Sequence, residues 1–261
     1  MKSKLFFSAL FDLRNLSLLA IFGATAYIAG NVRPDIVTYT YPAAGALYLG
    51  FVIQSLFSKS FNEKFNRRQK IKEIRELNRQ SINLAYEAKR HVNPALLKRL
   101  HKVMDDKKDI VQCFFRGEYD YLKQKIVEQA LKLVIAYEKL LINYCIRSRE
   151  LSEMNIAEIT NRINLNIRKL NFAQEPSAIE SIKKVIEIDE KFLTRIKEEK
   201  SELETINSKL EFMEGTVNMF KHQIISNIET EDMVETLETA VNEASALYSV
   251  LEDRRKNKIK L

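Results

Sequence analysis

Hydrophobic and polar positions divide the chain into stretches of different period. Near the N-terminus stand two uncharged apolar stretches, LSLLAIFGATAYIAGNV (16–32) and YPAAGALYLGFVIQSLF (41–57). The second can be extended upstream to Ile36, with Pro42 in its first turn, where a missing N–H costs no hydrogen bond. At about 17 residues each, they lie at the short end of what crosses a bilayer. Only Arg33, Pro34 and Asp35 separate them, so the two must fold back as a hairpin. Lys2, Lys4 and Arg14 precede the first stretch, and a dense basic cluster follows the second. By the positive-inside rule this pattern predicts an integral membrane protein with two transmembrane helices, about 16–32 and 36–57. Both termini are then cytoplasmic, at a bacterial inner membrane.

The rest of the chain follows a helical period. A thin apolar stripe (Phe65, Ile71, Ile74, Leu77, Ile82, Ala85) predicts a helix over 62–90. Asn93-Pro94 supplies a cap and a first-turn proline for a helix running to about Phe115. Between Ile126 and Ile146, fifteen of 21 residues are apolar or aromatic and cover most of the helix circumference. Such a helix must be buried by several neighbours. Glu128, Lys132, Glu138 and Lys139 argue against a third span, because each costs several kcal/mol at a bilayer centre. Residues 154–173 carry Ile156, Ile159, Ile163, Ile167 and Leu170 on one face, before the break at Glu175-Pro176-Ser177.

From Ser177 to about Asn227 one long helix is expected. Leu203, Ile206, Leu210, Met213, Val217, Phe220 and Ile224 alternate spacings of three and four, a coiled-coil-like seam. Ile179, Ile182, Ile186, Leu193 and Ile196 follow another frame, so the pattern slips near Lys200. The seam packs either on the chain's own helices, which short connectors favour, or on a second copy. Thr230 opens a last helix, over about 232–255.

Composition supports an all-α chain. Gly and Pro total ten in 261 residues, and only two of each fall after residue 57. This excludes turn-rich β folds and glycine-rich phosphate loops. The predicted architecture is thus an N-terminal two-helix transmembrane hairpin (1–57), a basic membrane-proximal and central helical bundle in the cytoplasm (58–174), and a long coiled-coil-like helix with a C-terminal helix (175–261).

Charge is graded along it. Residues 58–112 carry fifteen basic against seven acidic side chains, and residues 175–261 thirteen against nineteen. Lys59, Lys64, Arg67, Arg68, Lys70 and Lys72 are candidate contacts to anionic lipid, each contributing about 1 kcal/mol beside such a leaflet. Lipid is the nearer anion, so no nucleic acid partner is expected.

No catalytic constellation stands out. His91, His101 and His222 have no signature partner among Ser or Cys. Glu87 and His91 lie one helical turn apart, too few ligands for a metal. Cys113 and Cys145 lie outside any CxxC arrangement and read as buried free thiols. No cofactor is expected. The functional expectation is a non-enzymatic, membrane-anchored scaffold or adaptor at the inner membrane face, with an unknown protein partner or self-association through 177–227. Two other readings are a lipid-binding membrane-remodelling or membrane-stress protein that self-assembles, and an accessory subunit of a channel or transporter.

Overall fold

The structure, a computed structural model, describes residues 6–7, 9–32, 37–116, 120–226, 228 and 230–258. Eight long helices are found among them: α1 (Leu13–Val32), α2 (Val37–Phe57), α3 (Lys59–Ala88), α4 (Pro94–Arg116), α5 (Tyr121–Glu153), α6 (Ile156–Phe172), α7 (Pro176–Ile225) and α8 (Glu231–Lys258). The chain divides into two compact units, with the boundary inside α3 after Glu73.

The first unit is the α1–α2 pair with the start of α3. Asn15 meets Ser55, and the rings of Phe22 and Phe51 are 5.9 Å apart, so the two helices run antiparallel. Ala9, Tyr48 and Val52 form a small core with Leu10, Phe22, Leu56 and Phe61 packed around it.

The expectation of two membrane spans is corrected here. Among the described residues, no helix is long and apolar enough to cross a membrane. Both stretches lack charge, but uncharged polar residues dilute them: Ser17, Thr25 and Asn31 in the first; Tyr41, Gln54 and Ser55 in the second. The integral anchor therefore falls, and with it the lipid-spanning partner assignment, the placement in a cell membrane with both termini cytoplasmic, and the membrane-anchored scaffold. A channel subunit whose path the hairpin lines falls for the same reason. Lys2, Lys4, Arg33, Pro34, Asp35 and Ile36, which entered that reading, lie outside the described residues, as do Gly117 and Asn227.

The second unit is built around α5, which packs against α4, α7 and α8. Its residues Ile126, Val127, Leu131, Leu133, Val134, Tyr137, Leu140 and Leu141 are all fully buried. The helix starts at Asp120, whose side chain accepts from Lys123 N. α4 starts at Asn93, whose Oδ1 accepts from Leu96 N, with Pro94 in the first turn. Such caps satisfy N–H groups that a helix start leaves without partners.

The fifty residues of α7 do two jobs. Its second half supplies Leu203, Ile206, Leu210, Met213, Val217, Phe220 and Ile224, all buried within this chain. Its first half pairs with α6 through Ile159, Ile163 and Ile196. One stripe runs unbroken past Lys200, with Ile196, Leu203, Leu210, Val217 and Ile224 spaced by seven, while the other shifts there, from Ile179, Ile186 and Leu193 to Ile206, Met213 and Phe220. Asp189 stands in the same register one heptad earlier and is buried. Arg162 of α6 answers it with two hydrogen bonds, Nε to Oδ2 at 2.8 Å and Nη2 to Oδ1.

Gly215 interrupts α7, and a Cβ there would meet nothing within 4 Å. Glycine in a helix interior costs roughly 0.5–1 kcal/mol relative to alanine. Gly215→Ala is therefore expected to stabilise the protein by about that amount, read as a raised midpoint of chemical denaturation.

Candidate functional site

The hairpin's lower end is held by side chains that reach the backbone. Asn15 is buried, its Nδ2 donates to Ala9 O at 2.7 Å, and its Oδ1 accepts from Ser55 Oγ at 3.2 Å. Tyr48 OH donates to Leu10 O at 2.6 Å, and Asn62 Nδ2 donates to Leu56 O at 2.9 Å. These bonds fix the start of α1, the end of α2 and the start of α3 around one cavity of about 460 Å³.

Three cations, Arg14, Lys64 and Arg68, line that cavity against one carboxylate, Asp12. Arg68 reaches Asp12 at 3.9 Å. Four serines, Ser17, Ser55, Ser58 and Ser60, add hydroxyls, and Leu13, Phe61 and Phe65 supply the apolar part of the wall. Ser17 Oγ is spent on Arg14 O at 2.7 Å. Two helix starts, at Leu13 and Lys59, border the cavity, and helix starts carry free N–H groups and partial positive charge.

Of the six basic residues singled out in the sequence, the fold brings Lys64 and Arg68 into this cavity. Lys59, Arg67 and Lys72 are exposed along α3, and Lys70 donates to Glu73 at 2.9 Å. Sequence reasoning missed Asp12 and Arg14 as partners of α3, because more than 40 residues separate them and only the hairpin returns the chain. It also passed over Asn15, Tyr48 and Ser55, which hold the cavity's frame.

Above the cavity the hairpin is bare. Leu13 is 86% exposed, Val32 75% and Phe57 85%, with Leu19, Ile21, Tyr27, Ile28, Leu47, Leu49, Phe51 and Ile53 also exposed. An exposed apolar patch of this extent marks an interaction surface.

The second unit contains a different polar cluster. Ser81 Oγ donates to Glu138 Oε1 at 2.8 Å, and Lys107 Nζ donates to Ser81 Oγ at 3.2 Å. All three are buried, and among the described residues Glu138 Oε2 has no hydrogen-bond partner. Burial pushes the Glu138 carboxyl up to about 8, against the pull of Ser81 and Lys107. The same desolvation lowers Lys107. Nearby, Tyr137 OH and Arg99 Nε both donate to Glu214 Oε1, at 2.9 and 2.8 Å. Burial, and then Glu214, raise the Tyr137 phenol.

A cavity of about 300 Å³ between α5 and α7 is lined by Leu151, Met154, Phe192 and Ile196 beside Arg147. The Arg147 charge is already answered by Glu199 and Glu202. His101 and His222 are exposed and His91 is half-buried. Among the described residues, no group of three or more His, Cys, Asp or Glu is placed to hold a metal ion. Cys145 is buried, and burial raises its thiol to about 11. Cys113 is only half-buried, its Sγ donating to Ile224 O at 3.7 Å, which corrects the expectation of two buried thiols.

Compared with known protein families, with curated proteins and with solved structures, the chain matches none.

Proposed function

We propose that this chain is a non-enzymatic helical protein that docks from one side onto an anionic lipid surface and self-assembles there. The observation that carries this reading is the bare apolar hairpin α1–α2 joined directly to a basic helix start. Residues 58–73 hold Lys59, Lys64, Arg67, Arg68, Lys70 and Lys72 against Glu63 and Glu73. A second copy laid on this face would bring the same cations alongside, and like charges repel. An anionic leaflet supplies both an apolar region for the bare hairpin and negative headgroups for the basic helix start.

Self-assembly is assigned to a separate surface. The α6–α7 pair leaves Leu165, Phe172, Val185, Ile188 and Phe192 exposed. The flanking charges of α7 are already balanced within the chain, Lys184 with Glu180 at 2.7 Å and Lys191 with Glu187 at 2.6 Å. Val185, Ile188 and Phe192 thus form an exposed apolar stripe along α7, which suits a second copy. The buried 203–224 seam is not available for it without unfolding.

The test is flotation of the full chain with preformed vesicles. It should float with vesicles containing phosphatidylglycerol and far less with pure phosphatidylcholine, and added salt should weaken the binding. Equal flotation with both, or none with either, overturns the reading. Cross-linking on the anionic vesicles should give oligomers; monomers alone would remove the assembly part.

A further inference from the structure

The cavity at the foot of the hairpin has a chemistry more particular than a basic surface. Resting on the lipid-docking reading above, we propose that it is a headgroup site for a phosphomonoester lipid, with the phosphoryl group in the cavity and the glycerol end of the lipid against Leu13, Leu16 and Phe57 at its rim.

Four features converge on this ligand. Arg14, Lys64 and Arg68 outnumber Asp12 so as to leave two positive charges, which match a phosphomonoester dianion better than a singly charged diester. Arg14 and Lys64 have no acidic partner among the described residues, so their charges are available. The Ser58 and Ser60 hydroxyls make no hydrogen bond among the described residues and can donate to phosphoryl oxygens. The first turns of α1 and α3 add N–H groups, the dipole of α3 being offset by the C-terminal end of α2 at Phe57. Asp12 plays the opposite part: it occupies Arg68 when the cavity is empty and is a carboxylate the ligand must displace.

The apolar side of the wall points to the rest of the ligand. Leu13, Phe61 and Phe65 belong to the cavity. Leu13, Leu16 and Phe57 are exposed, and Leu19 and Ile53 continue the apolar surface along the hairpin. A free phosphate ester would leave this surface in water, whereas a phospholipid covers it. The source is therefore lipid.

The experiment compares phosphatidic acid with phosphatidylglycerol in otherwise phosphatidylcholine vesicles, matched in surface charge, using the full chain. Phosphatidic acid vesicles should bind the more tightly. The variant Arg14→Gln/Lys64→Gln should lose this preference and about thirty-fold in affinity for phosphatidic acid. The charge-matched control Lys183→Gln/Lys197→Gln should keep the preference. Binding that follows surface charge alone, or a preference that survives Arg14→Gln/Lys64→Gln, overturns the headgroup site while leaving the lipid-docking function standing. No binding to any anionic vesicle overturns the function itself. In a parallel arm, soluble glycerol 3-phosphate should compete only weakly; competition at an affinity equal to that of the lipid would identify the occupant as a free phosphate ester and overturn the lipid assignment.

Discussion

Phe220→Ala is expected to cost about 3–5 kcal/mol of stability, the usual consequence of emptying a large buried site. Phe220 has no exposed surface and lies in the 203–224 seam with Leu210, Met213, Val217 and Ile224, which are just as inaccessible. Folded domains hold only about 5–15 kcal/mol in all, so the variant should be close to unfolding at physiological temperature. Its neighbour Met219 is exposed on the same turn. Met219→Ala should change stability by no more than about 0.5 kcal/mol. The pair separates core packing from helix propensity. It also decides what the seam binds. A seam closed within one chain gives a thermal midpoint that does not move over about a hundred-fold range of protein concentration. A midpoint that climbs with concentration would place the partner in a second copy.

That question shows what a linear sequence carries and what it does not. The helices themselves were legible. Asn93-Pro94 and Glu175-Pro176 mark starts that the fold uses, and α5 declares its central place because its apolar residues surround it. The seam of α7 was legible as a stripe, but periodicity tells which face is apolar and not whose surface covers it. Asp189 was hidden in the other stripe: a carboxylate in a core register reads as an interruption until Arg162 is found across from it. Ser81 was invisible for a similar reason, since a serine on a charged helix looks solvated whichever way it faces. Absence of charge is not the same as apolarity: Ser17, Thr25 and Asn31 in the first stretch and Tyr41, Gln54 and Ser55 in the second keep either helix from crossing a membrane. Half of the candidate site was readable as a basic stretch, Lys64 and Arg68. The other half, Arg14, Asp12 and Ser17, joins it only through the return of the hairpin.

Raising the pH from about 5 to 8 is expected to destabilise the second unit, and Glu138→Gln is expected to abolish most of that dependence. The sign follows from proton counts. In the unfolded chain Glu138 titrates at its ordinary 4.5, while in the fold burial holds it at about 8. Between those values the native state keeps a proton that the unfolded chain has released, so each added pH unit favours unfolding by up to about 1.4 kcal/mol. The stability that Glu138 contributes is present below pH 4.5 and is lost as the pH rises through 8, with an upper bound of about 5 kcal/mol over the window. Other acids do not confuse it. Asp189, Glu187 and Glu202 are shifted downward by their cationic partners, so their contributions are lost only in acid, below the range used. Lys107 opposes Glu138, since its lowered pKa adds stability as the pH rises toward the ordinary lysine value. Lys107→Met should thus steepen the fall and carry it to higher pH, because the cation that restrains Glu138 is gone. Gln at 138 keeps an oxygen for Ser81 Oγ and cannot ionise. Its denaturation midpoint should therefore be nearly level from pH 5 to 8 and exceed that of the native chain at pH 8 by about 2–4 kcal/mol. Parallel slopes for the two proteins would mean that Glu138 ionises freely in the fold, and the Ser81–Glu138–Lys107 cluster would then be an ordinary ion pair bridged by a hydroxyl.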